Sequence, residues 1–441
     1  MGGRKPCVNA RTTRFLRSSN NPTAAGSIAS ADLGDGGTDD PRELARQAID
    51  PDPAIAEPAI AALRALGRDG HTALLDEHRD TIAPLRDTGR THDPAVAERV
   101  RHAVDVVSGQ RDGHASGLYW HTDLELARAE SRRTGRPILS LRLLGRLDEE
   151  MSCANSRFFR VVLYPDREVA RLLSGRFVLH WSSERPAPRI TIDMGDGRRI
   201  ERTITGNSVH YVIDPSGRVI DAIPGLYAPT QFRIALERAA SMARACAGGA
   251  DEAFAACRAE QHARAIQTAR AAYAVRAVGP DWDRMLGLTG ALPADPTPSA
   301  IDAMPRTVGK AAIETSLLRV MARDPSTVRV PETLDWRAAG AADLGSSTVD
   351  PRTVALVRLK TGSAAAEADA AELRSVAAAD GARNEATLHR TVHGWYVAGG
   401  AAMDAFETLN ARVYTELFLT PAGDPWLGLR DPRLWDAIET P

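Results

Sequence analysis

The sequence predicts an α+β fold, with a strand-bearing centre between two helical regions. Three observations carry this expectation. Before residue 108 apolar residues recur only at helical spacing; between 118 and 248 compact apolar runs and two turn-flanked hairpins appear; after 250 alanine-rich helical spacing returns. With 441 residues, 43% hydrophobic and 25% charged, the chain has the composition of a globular protein of about three domains. A net charge of −2 excludes a general electrostatic claim on nucleic acid or anionic membrane. Arginines outnumber lysines heavily, the lysines being Lys5, Lys310 and Lys360, but they are scattered and form no basic motif.

Residues 1–38, polar and without periodicity, are expected to be a disordered tail. A helical domain follows over 39–107. Asp40 before Pro41 reads as an N-cap, Ile55, Ala59, Ile60, Leu63 and Leu66 share a helix face closed by Gly67, and further helices are expected over 72–85 and 95–107. These paired helices resemble a degenerate HEAT-type repeat. Residues 108–117 read as a linker.

The central domain, 118–248, opens with a helix over 122–134 and a buried strand over 137–144. Helices over 156–164 and 166–173 and a strand over 177–181 come next. Two hairpins are expected around Gly195-Asp196-Gly197 and Asp214-Pro215-Ser216-Gly217, then a closing helix over 229–247. The C-terminal helical domain, 250–441, should hold helices over 251–278, 303–322, 356–380 and 385–414. Its last stretch, with Asp424-Pro425-Trp426 and Trp435, reads as an ordered cap.

The four cysteines make neither a disulfide framework nor a zinc pattern. On one continuous helix Cys246 and Cys257 would lie about 16 Å apart, so both are expected to be inert thiols. No apolar run is long enough to span a membrane and none forms a secretory signal, so the protein is expected in the cytoplasm.

The centre also carries a resemblance. Tyr119-Trp120, a helix ending in Thr134-Gly135-Arg136-Pro137, an apolar strand, then Cys153-Ala154-Asn155-Ser156, with Tyr164 eight residues and Val169 thirteen residues past Ser156, is similar to the thioredoxin-like family. The stretch from Ser208 to Gly217 resembles that family's later hairpin. The resemblance covers about 110 residues and implies that Cys153 is the nucleophile, Ser156 a hydrogen-bond donor to its thiolate, and Asn207 and Ser208 the edge that lines a peptide substrate. Three positions depart from it. Ser156 replaces the resolving cysteine, Ser208 replaces the active-site proline, and Gly145–Glu150 lengthen the loop before Cys153. A single thiol can form a mixed disulfide but needs an external thiol for release.

Two functions are therefore expected. One is a monothiol protein exchanging with protein thiols or disulfides; the other is a non-catalytic scaffold that binds a protein client. Burial of Cys153 discriminates them. No cofactor and no metal are expected. Glu385, His389 and His393, spaced four apart, share one helix face and could hold a metal, yet the favoured reading is helix packing. His180 and His210 sit among apolar strand residues and read as hydrogen-bonded core histidines.

Overall fold

Aspartate–proline steps set the first helices. Asp40, Asp52 and Asp93 each accept a hydrogen bond from the backbone two residues on, and a proline follows each. In the computed structural model, which describes residues 40–203, 207–276, 336–399, 403 and 405–424, they open α1 (Pro41–Gln47), α2 (Pro53–Ala65) and α5 (Pro94–Ser108). The helix expected over 72–85 is instead two, α3 (Arg68–Glu77) and α4 (Arg79–Thr88). They break at His78, whose backbone leaves helical geometry while its buried Nε2 pairs with the Ala45 carbonyl at 2.7 Å. Leu63, Leu74, Val100 and Val104 build a small core between these helices. Arg64 ties it to the centre, donating to the Val107 and Trp120 carbonyls at 2.8 Å each.

The one-turn α6 (Gly113–Ser116) and α7 (Leu124–Thr134) lead into β1 (Ile138–Leu144). Then come α8 (Ala154–Phe158), a π-turn over Phe159–Leu163, α9 (Arg167–Arg176) and β2 (Val178–Arg185). β3 (Arg189–Asp193) and β4 (Arg199–Thr203) pair as a separate hairpin, as the Gly-Asp-Gly turn implies. β5 (Ser208–Ile213) and β6 (Val219–Pro224) form the second hairpin. The main sheet runs β2-β1-β5-β6; β1 and β2 are parallel and the other pairs antiparallel. Every residue of β5 and β6 is buried, so both sheet faces are covered. Strand alternation shows how: His210 turns to Phe159 and Phe232, and its neighbour Tyr211 to Phe406.

After β6, α10 (Pro229–Ala245) turns into α11 (Asp251–Arg276). The expectation for Cys246 and Cys257 is overturned here. Gly248 and Gly249, at φ +78° and +139°, break the helix. The two cysteines thereby come to a Cα separation of 5.6 Å and form a disulfide. The remaining described helices are α12 (Trp336–Leu344), α13 (Pro351–Thr361), α14 (Ala366–Ala386), α15 (Leu388–Ala398) and α16 (Phe406–Arg412), with a π-turn over Val413–Leu417. The helix expected over 356–380 is divided where Gly362, at φ +63°, caps α13. The one expected over 385–414 is divided at Thr387, so Glu385 belongs to α14 while His389 and His393 belong to α15. The described residues, from Asp40 onward, belong to one compact unit. Its main core runs from Ala115 through Ile138, Tyr211 and Phe254 to Leu409 and Phe418, continuing across the turn at 248–250. The tail over 1–38, the helix over 303–322 and the cap beyond Asp424 lie outside the described residues. No described helix is long and apolar enough to cross a membrane.

His180 and His210 are core histidines, as expected. His180 Nδ1 pairs with Ser140 Oγ, and His210 Nε2 with the Tyr164 hydroxyl, at 2.8 Å each. Burial pushes both rings down to about 3, and His71 and His114 to about 4. Between pH 6.5 and 4 the unfolded chain therefore takes up protons that these four rings refuse. Asp105, pushed up to about 7 by burial and by Asp112, offsets one of the four. Stability should thus fall as pH drops from 6.5 towards 4, by about 1.4 kcal/mol per pH unit for each excluded proton. Urea unfolding midpoints across that window test this; a flat profile would show that the folded rings accept protons.

The disulfide has a direct chemical readout. Cys246 and Cys257 fall in one tryptic peptide, Ala245–Arg258. Digested without reduction, it should be two hydrogens lighter than its reduced form and resist alkylation. Full alkylation of the native sample would mean the bond does not form.

Candidate functional site

Cys153 sits at the N-cap of α8, where its extended backbone (φ −61°, ψ 161°) turns the chain from the loop into the helix. Its carbonyl accepts from Arg157 N at 3.2 Å and its N–H donates to the Leu144 carbonyl at 3.4 Å. The thiol belongs to no disulfide and has 0% accessible surface, within the same core as Phe158, Phe159 and Leu143. Burial pushes the hydroxyls of the neighbouring Tyr164 and Tyr414 well above the ordinary phenol range.

The other expected site residues gather in the same buried layer. Asn155 Nδ2 donates to Ser208 Oγ at 2.8 Å, joining α8 to the start of β5. Ser156 Oγ lies 2.9 Å from Ser152 Oγ. Asn207 Nδ2 donates to Thr420 Oγ1 at 2.9 Å. Ser156, Asn207 and Ser208 are all buried, so the edge expected to receive a peptide is occupied by the chain's own C-terminal stretch. Arg185 holds that stretch through the carbonyls of Thr420, Pro421 and Asp424, at 3.2, 3.3 and 2.7 Å. Leu419 there adopts φ +56°, a left-handed conformation that costs a non-glycine residue about 1–2 kcal/mol and persists because its neighbours are fixed.

The inserted loop does not bring bare negative charge to the thiol. Glu150 is met by Lys360 Nζ at 3.2 Å and Arg111 Nε at 3.2 Å, and Lys360 also reaches Asp112 at 3.0 Å. Of the histidines near the centre in sequence, His121 pairs with Glu130 at 2.7 Å, and His180 and His210 are engaged with Ser140 and Tyr164.

A second buried constellation lies at the far edge of the sheet. Asp221 is the one acidic residue of the apolar strand β6, and it has no accessible surface. His389 Nε2 donates to its two oxygens at 3.0 and 3.1 Å, while His389 Nδ1 donates to Glu385 Oε1 at 2.6 Å. Both ring nitrogens thus face carboxylates. Burial alone would neutralise this ring, but Asp221 and Glu385 raise it to about 9. Burial likewise opposes ionisation of Asp221, yet the His389 charge holds its carboxyl well below the usual range. Arg238 of α10 donates to Glu385 at 3.1 Å, so two carboxylates face two cations and the group is neutral.

Two further rings complete it. His393 Nδ1 lies 3.8 Å from Asp221 Oδ1 and 2.7 Å from His262 Nδ1, and His262 Nε2 donates to the Ile220 carbonyl at 2.9 Å. Sequence spacing singled out Glu385, His389 and His393 but missed Asp221, His262 and Arg238. A lone aspartate in the run Val219-Ile220-Asp221-Ala222-Ile223 was the available signal. Comparison with family models, curated proteins and solved structures finds no match for this chain.

Proposed function

We propose that the protein is a thioredoxin-like scaffold that works by protein–protein contact, with Cys153 as a core residue. Support for the thioredoxin-like part comes from the order of elements. An opening helix, an apolar strand, the thiol at a helix start, a second strand parallel to the first, the β5–β6 hairpin and a closing helix surround the four-stranded sheet in that order, with the separate β3–β4 hairpin inserted before β5. The non-catalytic part rests on one observation: Cys153 has no accessible surface. Thiol exchange requires a thiolate sulfur to approach a disulfide sulfur, and access governs it as much as acidity does. Here the neighbouring edge is filled by residues 413–421, pinned through Asn207 and Arg185. Exchange with an external thiol would need that stretch to lift away. Clients are then met by surfaces other than the thiol edge.

The compartment is part of the same proposal. The cytoplasm expected from the sequence stands against a disulfide of a kind that persists mainly in oxidising surroundings. The mass of the Ala245–Arg258 peptide from cells alkylated before lysis decides between them.

The scaffold reading is tested by alkylation of the native protein across pH, followed by mass spectrometry. Cys153 should stay unlabelled until the protein unfolds. Labelling at neutral pH, with a midpoint well below the free-thiol value of about 8.5, would overturn the reading and restore exchange chemistry. Independently, Cys153→Ser should cost about 1–3 kcal/mol by placing a hydroxyl in the core. Unchanged stability in urea unfolding would argue for an accessible site.

A further inference from the structure

We propose that Asp221, His389 and His393, with His262 as fourth ligand, form a closed site for one divalent transition-metal ion of the zinc type. The ligand atoms of Asp221, His389 and His393 all lie within 4.8 Å of one another, and all three residues are buried. Two of the distances, 3.0 Å from His389 Nε2 to Asp221 Oδ1 and 3.8 Å from His393 Nδ1 to the same oxygen, bracket the ligand–ligand separation of about 3.4 Å that a tetrahedral ion with bonds near 2.1 Å requires. His262 lies outside that group: its Nδ1 is 2.7 Å from His393 Nδ1, a contact that must open by several tenths of an ångström, and the ring must close on Asp221 and His389 to complete the four.

What surrounds the ligands also fits a metal. Liganding imidazoles are oriented by a hydrogen bond from the other ring nitrogen to a carboxylate or a backbone carbonyl. His389 has Glu385 in that role and His262 has the Ile220 carbonyl, at 2.6 and 2.9 Å. Glu385 is itself held by Arg238 and by the Tyr227 hydroxyl at 3.1 Å each. His393 is the exception. Its Nε2 is buried with no hydrogen-bond partner among the described residues, while its Nδ1 faces His262 and Asp221. A network held by protons alone leaves that nitrogen unsatisfied, at a cost of about 1–3 kcal/mol.

The donor set names the ion. Three imidazoles and one carboxylate suit zinc and its first-row neighbours, whereas calcium and magnesium take oxygen donors. With Asp221, His262, His389 and His393 between 0% and 2% accessible, no position is open to substrate. The ion would be structural, clipping β6 to α11 and α15.

Cobalt(II) is the probe. The full chain is stripped with a chelator, checked for native circular dichroism, and titrated. The expected result is one cobalt per chain, with the intense visible bands of tetrahedral coordination, displaced by zinc. Glu385→Gln, which leaves all four ligands in place, should weaken binding by about 10–100-fold. His393→Ala should abolish the tetrahedral bands. If His393→Ala does not fold, the Glu385→Gln titration still decides. Absence of stoichiometric cobalt in the folded wild type, or an unchanged affinity in Glu385→Gln together with octahedral spectra, would overturn the site.

Discussion

An ionised carboxylate inside an apolar strand must be met by positive charge or hydrogen-bond donors, and Asp221 imposes that demand on the rest of the chain. β6 is an edge strand, so α11 and α15 can approach it from outside the sheet. His389 supplies the charge, Glu385 turns the ring, and Arg238 balances Glu385. Breaking such a pair from one side costs about 3–5 kcal/mol, because the survivor stays buried without compensation. The docking of α10, α14 and α15 on the sheet is therefore fixed by charge as well as by apolar area. The edge itself is closed in the same way. Arg258 and His262 of α11 take the carbonyls of Val219 and Ile220, at 2.7 and 2.9 Å, so β6 offers those groups to no other strand.

The disulfide acts upstream of that arrangement. Gly248 and Gly249 supply the turn, and the Cys246–Cys257 bond closes a loop of eleven residues, a constraint worth about 3 kcal/mol in the chain-entropy account. Cys257 is followed at once by Arg258 and one helical turn later by His262. Fixing Cys257 beside the end of α10 thus delivers both side chains to β6. A local turn sets a long-range contact.

Legibility in the sequence followed the range of the forces involved. β1 and both hairpins were legible because apolar runs and Gly- or Pro-containing turns are local signals; β1 starts one residue later than expected, and each hairpin turns where its turn residues stand. The breaks at His78 and Thr387 were not, because no glycine or proline marks them; at His78 a tertiary hydrogen bond to Ala45 stands in the helix's place. The disulfide was missed for a different reason. The distance argument was sound for a continuous helix, but Gly248-Gly249 was the sign that the helix is not continuous. In the candidate site, spacing found three members because they fall within nine residues of chain. Asp221 and His262 come from elements far apart in sequence, and no periodicity links them.

Cys153 and the histidine cluster show how similar burial carries opposite meanings. A thiol is content in an apolar core, so its zero accessibility needs no further group and argues against chemistry there. A carboxylate and three imidazoles are not content, and each must find a partner or leave a cost. Asp221, His389 and His262 have found theirs. His393 has one nitrogen satisfied and one bare, in a place where water has no accessible surface to enter. That residual imbalance separates the cluster from an ordinary buried salt bridge, and an ion coordinated by the four residues would replace the hydrogen bond between His262 and His393 with bonds from both rings to one centre.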